Sequence, residues 1–568
     1  MEYDLIVRSG RVVDGSGMPS YLADVGIKGG RVVELGRIKS GAARTIDAGG
    51  LVVAPGFIDH HTHMDAQVLW DPYATSEPEN GFTSVIMGNC GLTLAPVKSG
   101  GEDALVKSFV RVEAIPRSVL EQGVPWGWRS YGDYLDALEG KLGVNVGGLV
   151  GHIAVRQYAM GEESVEREAR AGEIAEMCTE VRSALEAGAL GFSTNRNVRH
   201  VREDGKPVAS RLASEEELFA LFDVVAEFNS GVIQTILGGG NRRERFAFYQ
   251  DLARRTQRPV IWGGVSHRWT SPDLWREQLD ALGSTFGAGY RLYGVAHSIP
   301  GIRHFTLKNA QVFDEFPEWK KVMFMPEGER KKALADAEVR ARLREDLKDP
   351  RPTDFHRRWD IVQVEKVAKG ENEKFSGKSV EEVARMRGED PLDAFLNLAL
   401  EEDLETNFLN VNSNGDPQAM GEILRSPYLL IGSSDAGAHV QYRADFGYAT
   451  TLLALWVRKR GVLSLEQAVN KLTFFAASVF GLEDRGLVRP GYAADLVLFD
   501  PDTVDACEPE WAHDYPGGTK RMIQRSVGVH HTIVNGRVIF SDGRLSGDLP
   551  GQVLRNSACR RASAAPLG

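Results

Sequence analysis

The sequence predicts an α/β fold, a TIM-like (β/α)8 barrel, on three observations. Apolar runs that do not alternate recur through the middle of the chain, as in strands buried on both faces. Helical patterns lie between most of them, the alternation that builds a parallel sheet. Each run gives way to polar residues, and in such a barrel the chemistry sits where strands end. Eight runs can be placed, at 51–58, 83–87, 144–150, 189–192, 232–236, 259–265, 290–295 and 428–431. Among the intervening helices, 163–187 and 214–228 are the clearest. The second opens on Ser214 with Glu217 three residues on, the pattern of a capping box.

Size and composition agree. A chain of 568 residues is too long for one ordinary domain but fits a barrel with appendages. Hydrophobic residues make up 42% and charged ones 26%, ordinary for a globular protein. A net charge of −11 argues against a nucleic-acid partner or an anionic membrane surface. The apolar runs are too short to span a bilayer, and the first residues, Met1-Glu2-Tyr3-Asp4, lack the character of a signal peptide. Four widely spaced cysteines suggest no disulfide framework, and the cytoplasm is the expected compartment.

Both chain ends read as short strands. Residues 1–50 alternate strand-like runs with turns such as Gly15-Ser16-Gly17 and Gly29-Gly30. Residues 486–550 have the same texture, including the hairpin signal Asn535-Gly536. Neither piece can close a core alone, so the two are expected to pair into one small β-domain flanking a barrel over 51–485. Residues 551–568 read as a frayed or draped tail.

The strand ends carry the candidate chemistry. His61 and His63 are alternate residues of an extended segment and so present two imidazoles side by side, able to pinch a divalent metal such as zinc. Asp59 and Asp65 are placed to orient those rings. Cys90, between Asn89 and Gly91, is a further ligand or a buried structural thiol. His267 is a ligand or a satisfied core histidine. Asp435 is placed to take a proton from an attacking water and return it to a leaving group, or else caps the next helix. His152, Gln234 and His297 also fall at strand ends. The chain has only 13 histidines, and chance would scatter them over helices and loops.

These motifs carry a resemblance. Pro55-Gly56-Phe57-Ile58-Asp59 with His61-Thr62-His63, Gly88-Asn89-Cys90-Gly91, Gly151-His152, Gly191-Phe192-Ser193-Thr194, Ser266-His267, Ile431-Gly432-Ser433-Ser434-Asp435 and the stretch 484–500 resemble the amidohydrolase superfamily. The cysteine motif resembles its N-acyl-D-amino-acid deacylase (D-aminoacylase) group. The resemblance implies a metal-dependent hydrolase on a TIM-like barrel, with a small β-sandwich domain formed from both chain termini. It implies His61, His63, Cys90 and His267 as ligands of zinc, one ion or two, with the cysteine replacing a carboxylated lysine, and Asp435 as general base and acid. Three departures stand out. Ile236 occupies the place of a fifth-strand histidine ligand, leaving Gln234 as a weak oxygen donor. Trp269, after Arg268, replaces a lysine that grips the substrate carboxylate, a task Arg443 is placed to assume. Leu292-Tyr293-Gly294 replaces a Tyr-Pro-Tyr. Trp262, Trp269 and Tyr293, with the loop Gly238-Gly239-Gly240, would then form a roomy aromatic pocket, or would merely pack the barrel rim.

The expected function is hydrolysis of a small-molecule linear amide, an N-acyl amino acid or a bulkier N-acyl amine. Hydrolysis of a cyclic amide, lactone or ester is the rival on the same machinery, and an inactive scaffold is the rival of a different kind. Residues 301–425 form a charged, aromatic-rich insertion, expected to act as a lid. Homo-oligomerisation is left open.

Overall fold

The first apolar run breaks at Gly56, and the break separates two sheets. Val52–Pro55 pairs with the terminal strands Tyr3–Val12 and Leu496–Phe499, whereas Phe57–Asp59 pairs with Phe82–Met87. The run expected to be one strand is therefore two. Only glycine fits between them, since a Cβ at position 56 would lie 2.1 Å from the Thr83 side chain. The computed structural model describes residues 2–237, 242–308, 310–351, 353, 355–441 and 443–559. The Gly238-Gly239-Gly240 loop, expected to widen a pocket, lies outside them.

The described chain divides into two compact units, the first formed by residues 1–265, 279–298 and 424–568, the second by 266–278 and 299–423. In the first, eight segments pair in parallel in chain order. They are β1 (Phe57–Asp59), β2 (Phe82–Met87), β3 (Asn145–Gly148, continued by Val150–Gly151), β4 (Gly191–Asn195), β5 (Val232–Ile236), β6 (Val260–Trp262), β7 (Leu292–Ala296) and β8 (Leu429–Ile431). Each falls on or beside its expected run. One buried apolar cluster draws Ile58, Ile86, Leu149, Leu190, Val232, Ile261, Val295 and Leu430 from or beside these strands and packs them on Ala476, Ala477 and Phe480. Burying such side chains contributes about 1.5–3 kcal/mol each, which is why the runs need no polar alternation.

Both termini share a single mixed sheet of nine strands among the described residues, its strand order running from Arg544–Leu545 to Arg31–Gly36. Its own core is Leu5, Val7, Val25, Val53, Leu496 and Ile533 with their neighbours. Of the two expectations for the tail, its described residues follow the draped one. Val553–Leu554 pairs in parallel with β3, and the Asn556 amide donates to the Leu185 and Ala189 carbonyls at 2.7 and 2.9 Å. Residues 560–568 lie outside the described ones.

The second unit holds the insertion. Gly301–Phe305, Asn407–Ser413 and Val362–Lys366 form a three-stranded antiparallel sheet. The helices Pro317–Met323, Glu327–Ala335, Ala337–Asp346, Val380–Arg387, Pro391–Glu401 and the start of Pro417–Arg425 accompany it. Phe313 stacks on Trp319 at 4.0 Å within a core that includes Phe355, Phe395 and Phe408. Most aromatics of the insertion thus form a hydrophobic core of their own, with Phe324 exposed, while most of its charged residues occupy the helix surfaces. No helix among the described residues is long and apolar enough to cross a membrane.

Candidate metal centre

Two residues past β1, the His61-Thr62-His63 segment is latched to its neighbours. Thr62 donates both its amide and its hydroxyl to the Ile86 carbonyl at 3.0 Å, and the His63 amide reaches the Ala436 carbonyl at 2.7 Å. Pinned on both sides, the segment presents two buried imidazoles whose ring centres are 5.5 Å apart. Asp59 and Asp65 do not touch those rings, as had been expected. Asp59 Oδ1 accepts the His61 amide at 3.1 Å and Asp65 Oδ2 accepts the Gly88 amide at 3.0 Å, so both carboxylates fix backbone instead.

Cys90 comes from the turn after β2 and has a left-handed φ of 56°. Such a backbone is costly for a residue with a side chain and needs bracing. The Cys90 amide donates to Gln234 Oε1 at 3.0 Å and the Gly91 amide to Ser193 Oγ at 2.9 Å, so strands β4 and β5 hold the turn. Gln234 therefore positions Cys90 through its amide oxygen, and that oxygen is engaged in doing so, contrary to its expected place as an oxygen donor to the metal or a substrate contact.

The donor atoms converge. One nitrogen each from His61 and His63 and the Cys90 sulfur lie within 4.8 Å of one another, the one such group among the described residues. His61 Nε2 is 3.6 Å from Cys90 Sγ, and Asp435 Oδ1 is 3.4 Å from His63 Nε2 and 3.8 Å from His61 Nε2. Ligands of a tetrahedral zinc at ordinary bond lengths are separated by about 3.4–3.6 Å, so the spacing suits such an ion.

The electrostatics agree. Burial pushes the His61 ring down to about 3, against the pull of Asp435, which keeps its lone pair free for a metal. Burial also works against a proton on His63, but Glu113, Asp435 and Cys90 outweigh it and raise that ring well above its ordinary value. The same negative surroundings favour a cation between the donors. Burial raises the Cys90 thiol, and His63 opposes the rise. For Asp435 burial would favour the acid form, yet His63, His61 and Arg443 hold the carboxyl far below the usual range. It is ionised.

Three neighbours escaped the sequence reading. Glu113 ends the helix Glu102–Val112 and sets Oε1 3.5 Å from His63 Nδ1. No spacing rule links it to that histidine. His439 Nε2 is 3.8 Å from Asp435 Oδ2. A histidine four residues after a candidate base could have been noticed. His200, hydrogen-bonded to Asn195 at 3.1 Å, is pushed down to about 4 by burial and then by His63 and His439. Arg443 Nη1 lies 3.9 Å from Asp435 Oδ2 and the guanidinium also pairs with Asp445, so it does stand at this centre. His297 is half-buried, within electrostatic range of Asp435 and Arg443.

Other expected site residues have partners of their own. His152 is fully buried, with Nδ1 2.8 Å from Thr194 Oγ1 and Nε2 2.8 Å from Glu217 Oε1. Both ring nitrogens are spent inside the protein, which leaves nothing for a metal or a substrate. Tyr293 packs between Phe286 and Phe475, at the opposite end of β7 from His297. Trp262 packs on Tyr249 and Phe246, so these two aromatics fill the rim. His267, Arg268 and Trp269 belong to the second unit. There the His267 amide donates to Asn414 Oδ1 at 3.2 Å, and its ring meets Trp269 edge-on. Arg358 lies over the Trp269 ring at 4.8 Å, while exposed Arg268 bridges to Ser413. The close donor group thus comprises three of the four expected ligands.

The amidohydrolase family model matches residues 44–540. The chain belongs to the amidohydrolase family. It is 30% identical over 582 residues to an uncharacterised protein of Mycobacterium tuberculosis, an alignment covering 96% of this chain and 93% of the relative. It is 28% identical to a D-aminoacylase of Alcaligenes xylosoxydans xylosoxydans, with 98% of each chain covered. Among solved amidohydrolases, a D-aminoacylase described by its binuclear metal centre superposes with a TM-score of 0.64 at 27% identity, over 97% of this chain and all of that one. An N-acyl-D-glutamate deacylase from Bordetella bronchiseptica, complexed with zinc and a phosphonate inhibitor, gives 0.64 at 25%, over 98% and 100%.

Glu113 offers a direct check on the centre. Carboxylates that orient a ligand histidine typically contribute 10–100-fold to metal affinity. Glu113→Gln should therefore weaken zinc binding by about tenfold or more in a competition titration against a chelating dye. Unchanged affinity would show that the contact with His63 does not steer the ligand.

Proposed function

We propose that this amidohydrolase is a metal-dependent deacylase that cleaves a linear amide, that of an N-acyl-D-amino acid or of a bulkier N-acyl amine. The observation carrying the reading is the convergence of His61, His63 and Cys90 beside an ionised Asp435. The relatives named D-aminoacylase and N-acyl-D-glutamate deacylase support the substrate class. A closed eight-stranded barrel belongs to this reading and is supported by the parallel pairing of β1 to β8. His60 Nε2, beside β1, also lies 3.3 Å from the β8 carbonyl of Ile431.

His61, His63 and Cys90 would hold a zinc-class ion. When bound, such an ion supplies Lewis acidity, polarising a carbonyl and acidifying water. Asp435 takes the proton of the attacking water and delivers it to the departing amine. His63 and His61 keep that carboxylate ionised between turnovers. Gln234 fixes the Cys90 turn and Glu113 orients His63. Arg443, exposed enough to meet a ligand, draws in the substrate carboxylate.

The test is a hydrolysis screen of N-acyl-D- and N-acyl-L-amino acids, bulky aromatic amides and cyclic amides, with and without chelator. Release of amine from linear D-substrates, lost on chelation and restored by zinc, is the expected outcome. Turnover confined to cyclic amides, lactones or esters would install the rival chemistry. Less than about a tenth of an equivalent of metal, with no gain on adding zinc, would favour an inactive scaffold.

A further inference from the structure

The hairpin of Glu510–Tyr515 and Thr519–Ile523 is a two-stranded sheet of its own within the first unit. Arg521, on its second strand, is 1% exposed. Burying a guanidinium is costly unless its donors are taken up. Here Nη1 donates to the Thr75 carbonyl at 2.6 Å, and Nε and Nη2 donate to the two Asp514 oxygens at 2.8 and 2.9 Å. The guanidinium lies over the Tyr515 ring at 5.1 Å, and the Tyr515 hydroxyl donates to Gln67 Oε1 at 3.2 Å. The hairpin is thereby bolted to residues 67–75, the stretch that follows His63.

The other side of the hairpin holds the stretch that follows Asp435. The Met522 amide donates to the Val440 carbonyl at 2.6 Å, and Gln441 Nε2 donates to the Lys520 carbonyl at 3.1 Å. Just past the hairpin, Gln524 Oε1 accepts the Gly447 amide at 2.8 Å. These contacts bracket the exposed Arg443. Residues 436–441 and 443–447 lie in neither helix nor strand, so their placement depends on such contacts. The start of the stretch is fixed by the His63 amide on Ala436 and by the His439 amide on the Glu113 carbonyl at 2.6 Å. From Val440 onward it rests on the hairpin.

We infer that Arg521 is a positioning residue for substrate recognition: through the hairpin it holds the backbone at Val440 and Gln441 and so sets where Arg443 presents its guanidinium. The inference rests on the reading of Arg443 as the group that draws in the substrate carboxylate. A guanidinium grips a carboxylate well when its planar fork is aimed at it, and a misplacement of about 1 Å can cost about 10²-fold.

The test compares the zinc-loaded full chain with its Arg521→Met variant on two substrates, an N-acyl amino acid and the same compound with its carboxylate converted to a primary amide. The variant strands no carboxylate, since Asp514 is 41% exposed and Asp71 keeps the Gln67 side chain and the Thr75 amide as donors. KM for the acid should rise by about tenfold or more with kcat within about threefold, while KM for the amide stays unchanged. A merely structural defect would move both substrates alike, and that result would overturn the inference. Gln441→Met, which removes one contact near the surface, should give a smaller rise confined to the acid. Deuterium uptake by the peptide spanning 436–447 should quicken by about tenfold or more in Arg521→Met. Unchanged uptake would overturn the inference whatever the substrate. Arg443→Met is the control that separates the two readings. If it raises KM for the acid while Arg521→Met and Gln441→Met do not, the inference falls and the role of Arg443 stands. If it leaves KM for the acid unchanged, the role of Arg443 falls and takes the inference with it.

Discussion

Asp435→Asn should lower kcat by at least about 10³-fold, near the upper part of the range for general acid–base catalysis. That loss corresponds to about 4 kcal/mol of transition-state stabilisation. The amide keeps the shape of the carboxylate but cannot accept a proton from water. Its charge, which His63, His61 and Arg443 hold in the ionised form, is gone. Zinc content should remain within about twofold of the wild type, because the donor group of His61, His63 and Cys90 is untouched. KM should change little, since the lost interaction belongs to the transition state. The measurement pairs steady-state kinetics on the best substrate of the screen with metal analysis of the same sample. A variant within tenfold of wild-type activity would remove Asp435 from its role as proton carrier.

Glu217→Ala should be the most damaging single change for stability among those considered. The Glu217 carboxylate is completely buried and takes His152 Nε2 and Arg156 Nε, each at 2.8 Å, on one oxygen. Arg156 is equally buried and also donates to the Ala209 and Arg167 carbonyls at 3.1 and 2.8 Å. Burial would raise Glu217, but His152 and Arg156 together hold it below its ordinary value. Truncating it strands a guanidinium in the interior, at a cost of about 3–5 kcal/mol. The expected readout is a melting temperature about 5 °C lower or more by calorimetry. Replacing the pair together, as Glu217→Leu with Arg156→Met, should recover much of the loss, because no buried charge is then left unpaired. A fall of less than about 1 °C in the single variant would mean the network carries little stability.

This network also shows what the sequence hides. Ser214 does cap its helix, accepting the Glu217 amide at 3.1 Å. The expected return contact does not form, because the Glu217 carboxylate turns inward to His152 and Arg156 instead. A pattern four residues long could not disclose a partner 65 positions away. The barrel strands were legible because a buried parallel strand needs an unbroken apolar run, and that is a local property. His61, His63, Cys90 and Asp435 were legible because each closes such a run. Glu113 was not, since a glutamate at a helix end looks like any solvated one until the fold turns it inside. His152 stands at a strand end like the metal donors, and only its neighbours reveal that its nitrogens are spent. The sheet of the second unit was missed for another reason. Its strands, Gly301–Phe305 and Val362–Lys366, are short and mixed in polarity, so charged helical patterns on either side dominate the reading.

The interruption at Gly56 ties the two ends of the polypeptide to its chemistry. Val52–Pro55 is clamped between strands from the first and the last hundred residues, and His61 follows only six positions after Pro55. The appended sheet is thus no detachable ornament. It is the mooring from which the ligand-bearing segment is strung, and neither extremity could be trimmed back past its strands without slackening that line.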